Sequence, residues 1–193
     1  EEKYSIDKNK VHYIPHGFDI DEMDKNSKLG DEILDKELKQ TLDDYFCITY
    51  TGSLSKSEGL HTFVESAKHL KDIKNIKLVI VGSGSEKQKL EDIIEKEKLD
   101  NVIMIEKQPK NTIALTLKKS KILFCGLMDR EVFKYGISKN KFYDYMASGR
   151  PIIFASNVRG SLINIAKAGI TIEPDNPEKL ADTIKYIYKN YNT

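Results

Sequence analysis

From residue 46 onward, short apolar runs alternate with longer polar segments in which apolar residues recur three or four positions apart. The runs FCITYT (46–51), KLVIV (77–81), NVIMI (101–105), KILFC (121–125), PIIFA (151–155) and GITIE (169–173) have the length and residue types of buried strands. Between them, Leu60 to Leu70, Glu86 to Lys98, Thr112 to Lys119, Lys141 to Ser148, Ser161 to Lys167 and Glu178 to Tyr191 carry the helical period. Such alternation predicts an α/β fold: a six-stranded, doubly wound, Rossmann-like parallel sheet with helices on both faces. The first forty-five residues break the pattern. VHYI, ending at Pro15, reads as one short strand, and the polar stretch after it reads as a linker leading in from upstream.

If the strands take the order 3-2-1-4-5-6, the topological switch point lies between the first and the fourth, and ligands bind outside the carboxyl ends of those strands. Two loops are thereby singled out: TGSLSKSEG after the first strand, and GLMDREVFKYGISKN after the fourth. The second is long for a connection of this kind, and long ordered loops tend to carry function.

TGSLSKSEG sets Gly52 and Gly59 around serines and Lys56 before a helix, which suits either an anion site or an ordinary capped helix start. It has neither the Walker spacing nor G-x-G-x-x-G. VGSGSEK has Gly82 and Gly84, but Lys87 replaces a third fingerprint glycine and no acid ends the second strand, which argues against a nicotinamide dehydrogenase. In YGISKNKFYDYMASGRPII, Asn140 is a candidate N-cap, flanked by Lys139 and Lys141; Gly149 and Pro151 end the helix. Phe142, Tyr145 and Met146 share one face of that helix and Asp144 points elsewhere, either to solvent or to a crevice above the sheet.

Lysine and arginine total 31 against 30 acids, so no global basic field favours nucleic acid, and any anion site must be local. No apolar run is long enough to cross a bilayer, and EEKYSIDKNK is no signal peptide, so the chain reads as cytoplasmic. Cys47 and Cys125 sit inside strand runs and read as reduced, buried thiols. Asp19-Ile20-Asp21 matches a short acidic metal pattern but is better read as a turn or cap, and His12, His16, His61 and His69 form no zinc pair. His16 is kept apart because it precedes Gly17 in a hinge-like segment. No metal or cofactor is expected. A phosphoacceptor domain is disfavoured, since the first strand ends YTGS without an aspartate.

Six segments in order, VHYIPHGFD, YTGSLSKSEGLHTFVESAKHL, KLVIVGSGSEKQKLE, NVIMIEKQPK, GISKNKFYDYMASGRPII and PDNPEKLADTI, resemble the carboxyl-terminal lobe of glycosyltransferase family 4. These are retaining enzymes of the two-lobed GT-B fold. SKNKFYDYMASGRP and LMDREVF are similar to bacterial transferases of surface-polysaccharide assembly, including those that move N-acetylfucosamine. The resemblance implies that residues 1–20 are a lead-in and interlobe linker and that 21–193 form the nucleotide-sugar lobe. It further implies a separate acceptor lobe, making this chain a piece of a larger enzyme, inactive in transfer by itself.

By the same resemblance the donor is an NDP-sugar, UDP-linked, and the acceptor a saccharide or lipid-linked saccharide at the inner membrane face. Asp144 would hold the ribose hydroxyls, in place of the usual glutamate. Gly136, Ile137, Ser138, Lys139 and Asn140 would present amides to the diphosphate, and the backbone of Glu106 and Lys107 would read the base; Gly52 and Gly82, read from their own loops, are candidate ligand contacts beside them. Three positions depart from the family: an acid is replaced by Gly136, and the customary arginine and lysine by Ser53 and Glu58. Lys56, Arg130, Lys139 and Lys141 are the candidates to neutralise the diphosphate instead. The departures also leave open a noncatalytic nucleotide- or partner-binding module. No catalytic residue is assigned.

Overall fold

The computed structural model describes residues 7–12, 14, 17–135, 137, 139–158 and 160–191. Six parallel strands, β1 (Phe46–Ser53), β2 (Ile76–Ser83), β3 (Val102–Ile105), β4 (Ile122–Gly126), β5 (Ile152–Ala155) and β6 (Gly169–Ile172), form one sheet. Their order is β3-β2-β1-β4-β5-β6, so the expected switch point between β1 and β4 is present. The β1–β2 register runs unbroken from Phe46↔Ile76 to Ser53↔Ser83, whereas β1 and β4 pair through Ile48↔Ile122 and Thr49↔Leu123. Beyond that short pairing the segments that follow β1 and β4 stay linked, the Met128 amide donating to the Ser57 carbonyl at 3.0 Å.

Alternation along each strand supplies two cores. Ile48, Tyr50, Leu78, Ile80, Ile122, Phe124 and Ile153 face α3 (Leu60–Ser66), α4 (Lys87–Lys96) and α8 (Pro177–Lys189). Phe63 stacks on Phe124 there, with ring centroids 4.5 Å apart. On the opposite face, Leu123, Cys125, Ile152 and Phe154 meet α5 (Lys110–Lys119), α6 (Lys141–Ala147) and α7 (Leu162–Ile165), while Cys47, Val79 and Val81 meet the helix that precedes β1. Both cysteines are free and buried, and burial pushes Cys47 up to about 12 and Cys125 up to about 11. At neutral pH these thiols stay protonated and unreactive.

The lead-in differs from the sequence expectation. Val11, His12 and Ile14 belong to no strand, and Tyr13 and Pro15 lie outside the described residues. The polar stretch after them is not a linker but two helices, α1 (Ile20–Leu29) and α2 (Lys36–Asp44). Each starts on an aspartate: Asp19 accepts from the Glu22 amide, and Asp35 from the Leu38 amide, both at 2.9 Å. Met23 of α1 is buried against Ala114 and Leu117 of α5. Leu38 and Leu42 of α2 pack on Cys47 and Val79. One buried residue in α1 and three in α2, among many charges, hid the period.

Smaller differences lie at helix ends. The segment from Leu60 tightens into a 3-10 turn over Ala67–Leu70, and the helix expected over 161–167 is the short Leu162–Ile165, with Ser161 accepting from the Asn164 amide. Asn140 does occupy the position before α6, but its backbone is already helical and its side chain makes no capping hydrogen bond. A capping side chain typically folds back from a non-helical backbone. Gly149, at φ 70°, ends α6 as expected.

Candidate functional site

A cavity of about 710 Å³ opens at the carboxyl ends of β1 and β2. Its floor is Thr51, Gly52 and Ser53 beside Val81, Gly82 and Ser83. The two glycines face each other across the strand pair, and a β-carbon on Gly82 would stand 1.9 Å from the Gly52 carbonyl oxygen. Gly52 itself has φ 141°, and the Lys141 ammonium lies so close over it that a β-carbon there would be 3.1 Å away. The protein's own atoms leave no room for a side chain at either glycine, and main chain forms the floor there.

One wall is the start of α6, with Asn140, Lys141 and Asp144. Its position is set from below: Phe142 is buried and meets Phe154 edge-on at 5.1 Å, and the Tyr145 hydroxyl, buried under the cavity, accepts from the Thr51 amide at 2.9 Å. Burial, with the nearby Cys125 adding to it, pushes Tyr145 well above the usual phenol range, so the hydroxyl remains a neutral strut between α6 and β1. The facing wall carries Lys107, Gln108 and Lys110 with Ile113 and Leu117 of α5. The front is α1, through Asp19, Glu22 and Asn26. Cations and acids thus meet across the cavity, and hydroxyl and carbonyl partners line its base.

Of the residues singled out by sequence, Gly52, Ser53, Gly82, Lys107, Asn140, Lys141 and Asp144 line this cavity. Others stand elsewhere. Lys56 borders a separate recess of about 150 Å³ with His61 and Glu86. The Glu106 side chain is exposed and pairs with Lys87. Arg130 is exposed beyond β4, and Ile137 packs among the apolar residues around Phe142. Lys139 is turned inward, 2.7 Å from Glu58. Gly136, Ser138 and His16 lie outside the described residues. Asp19 serves α1 as its cap, and His61 pairs with Asp175 at 3.0 Å. Among the described residues no three His, Cys, Asp or Glu side chains converge as a metal site requires. Sequence reasoning missed the α1 wall, whose signal was the Asp19 cap followed by Glu22, and missed Gln108 and Lys110 just past Lys107.

Behind the α6 wall sits a compact charged cluster. Glu58, in the 3-10 turn Lys56–Glu58 after β1, gives one carboxylate oxygen to Lys139 and the other to Lys141, each at 2.7 Å. Lys141 also reaches the Tyr50 hydroxyl at 3.0 Å and lies over its ring, 4.2 Å from the centroid. Burial by itself would raise the Glu58 carboxyl, but the Lys141 and Lys139 ammoniums overcome it and hold the group below its ordinary value.

With a parallel sheet of this order and a crevice at the carboxyl ends of β1 and β2 described, the family assignment follows from the chain's match. The model for glycosyl transferases group 1 matches residues 32–193. The chain belongs to this family. An uncharacterized glycosyltransferase of Methanocaldococcus jannaschii is 28% identical over 123 residues, covering 63% of this chain and 30% of that protein. A glycosyltransferase from Rickettsia africae superposes with a TM-score of 0.73 at 20% identity, over 98% of this chain and 50% of its own. Anabaena HepE in complex with UDP-glucose gives 0.73 at 16% identity, over 98% and 51%. The C-terminal domain of a group 1 glycosyl transferase from Francisella tularensis gives 0.67 at 20%, over 90% and 88%. At these identities the structural matches establish the Rossmann-like fold of GT-B glycosyltransferases. The chain spans about half the length of the Rickettsia and Anabaena proteins and 30% of the archaeal one. No helix among the described residues is long and apolar enough to cross a membrane.

Proposed function

We propose that this chain is the donor-binding, carboxyl-terminal half of a retaining glycosyltransferase, and that the cavity at the carboxyl ends of β1 and β2 holds a UDP-linked sugar. The observation that carries the reading is the main-chain floor at Gly52 and Gly82 set against a wall bearing Lys141 and Asp144. In this reading the diphosphate lies over Gly52 and Ser53 beside Lys141, Asp144 accepts from the ribose hydroxyls, and the base rests by the main chain of Lys107 and Gln108. The similar Anabaena protein is known with UDP and with UDP-glucose, which supports uracil as the base.

Transfer makes a nucleoside diphosphate the leaving group, so negative charge grows on its phosphate oxygens as the glycosidic bond breaks. A lysine already fixed beside them stabilises that charge more than the ground state, and this differential is what accelerates the step. With that cation in place the scheme uses no metal. The acceptor we assign is a saccharide or lipid-linked saccharide in surface-polysaccharide assembly, reached at the inner face of the membrane by a cytoplasmic enzyme. N-acetylfucosamine or a related N-acetylhexosamine is the sugar suggested by SKNKFYDYMASGRP.

Calorimetric titration with UDP, GDP, ADP and NAD tests the reading. UDP should bind preferentially, and Asp144→Ala should weaken it roughly tenfold or more, the usual cost of a hydrogen bond to a charged acceptor. Binding to none of the four, or UDP binding untouched by Asp144→Ala, would overturn it.

A further inference from the structure

Glu58 is an acid immediately behind a site that must receive an anion, and its surroundings account for it. Its side chain is 13% exposed, and those of Lys139 and Lys141 are 12% and 17% exposed, so the three charges are screened little by water. Of the three, Lys141 alone lines the cavity. Lys139 is also anchored to the Gly126 carbonyl at the end of β4, 3.1 Å away. The Tyr50 hydroxyl that meets Lys141 donates to the Ser53 carbonyl at 2.6 Å. A single connected path therefore runs from the end of β4 through Lys139, Glu58, Lys141 and Tyr50 to the Ser53 backbone on the cavity floor.

We propose that Glu58 is a positioning residue for the diphosphate subsite: it fixes Lys141 against Gly52 and Ser53 and limits the two buried lysines to one net positive charge. The inference rests on the donor-site reading above. Without the carboxylate, two ammoniums that now share it would face each other unpaired. Lys141 would then relax away from Tyr50, and with it the cation presented to the phosphates. A long side chain that is already immobilised loses less freedom when its ligand arrives, which is why its placement matters for affinity.

The experiment compares UDP with uridine, binding being followed by ligand-observed NMR in the wild-type chain, Glu58→Gln and Glu58→Asp. Uridine carries no phosphate and reports on the fold and the base subsite. Glu58→Gln should weaken UDP at least tenfold and leave uridine within twofold, and Glu58→Asp should fall between wild type and Gln. UDP binding within twofold of wild type in Glu58→Gln overturns the inference. Tighter binding overturns it as well, since the carboxylate would then be competing with phosphate for the lysines. A parallel loss of UDP and uridine, the mark of general structural damage, counts against it too. Should Glu58→Gln fail to fold, Glu58→Asp decides: it keeps the charge but is one carbon too short to reach both ammoniums, and an unchanged UDP-to-uridine ratio overturns the proposal. If the wild type binds no UDP, the donor-site reading itself falls and takes this one with it. If UDP binding depends on Asp144 but not on Glu58, only the present inference falls.

Discussion

Glu58 is ionised against the tendency of its burial, and the consequence is a pH dependence with a definite sign. Its folded value lies below the ordinary 4.5 because Lys141 and Lys139 outweigh desolvation. A depressed carboxyl contributes stability that is fully present above its unfolded value and is lost as pH falls through the folded one. Wild type should therefore be more stable than Glu58→Gln at neutral pH, where the variant leaves two buried ammoniums without a counter-charge. That gap should narrow as pH drops below about 4.5, when the protonated Glu58 comes to resemble glutamine. Urea unfolding of both proteins between pH 7 and pH 3 measures the gap. A constant difference across that range would show that the carboxylate gains nothing from its lysines. Among single residues, the place of Asp144 and Lys141 on the cavity wall was readable because each stands in a short motif at a helix start. The pairing of Glu58 was not, because its partners lie 81 and 83 residues downstream and only the sheet order brings them together.

At the scale of elements, the strands were legible because a parallel sheet buried on both faces demands continuous apolar runs, and each of the six appears as one. Their order was taken from the common doubly wound arrangement and not from any residue pattern, and the sheet has that order. α1 and α2 were illegible for a physical reason. α1 packs on α5 and α2 on β1 and β2, and they bury only Met23 in α1 and Leu38, Thr41 and Leu42 in α2, so charged residues dominate their sequences. What they do signal is their starts, Asp19 and Asp35, which a search for caps before polar runs would have found. The site inherits this miss, since α1 forms the front of the cavity. If α2 is a packed element of the fold, Leu38, which is fully buried against Cys47 and Val79, is a core residue. Leu38→Ala should then cost about 2–5 kcal/mol, the range for a buried leucine that leaves a partly collapsed cavity. In a linker the same substitution would be neutral, and thermal or urea unfolding separates the two.

At the scale of the whole molecule, the cavity is built from the carboxyl ends of β1 and β2, the α6 start, the segment after β3 and α1, all within this chain. Main-chain floor, the Lys141 cation and the Asp144 carboxylate therefore share one cavity. What raises a transfer rate beyond that is an acceptor hydroxyl held at the anomeric carbon, and orientation of this kind is worth about 7–11 kcal/mol in well-aligned cases. The solved relatives that superpose over 98% of this chain are about twice its length. If acceptor positioning belongs to the part of those proteins with no counterpart here, binding and transfer separate cleanly. This chain should then bind UDP and a UDP-N-acetylhexosamine with similar affinity, yet release sugar or form glycoside at a rate several orders of magnitude below that of a protein of the relatives' full length. Calorimetry gives the first quantity, and detection of liberated UDP in the presence of a saccharide acceptor gives the second. Rapid transfer by this chain alone would mean that the front of the cavity at Asp19, Glu22 and Asn26 itself orients the acceptor, and the division of labour proposed here would be wrong.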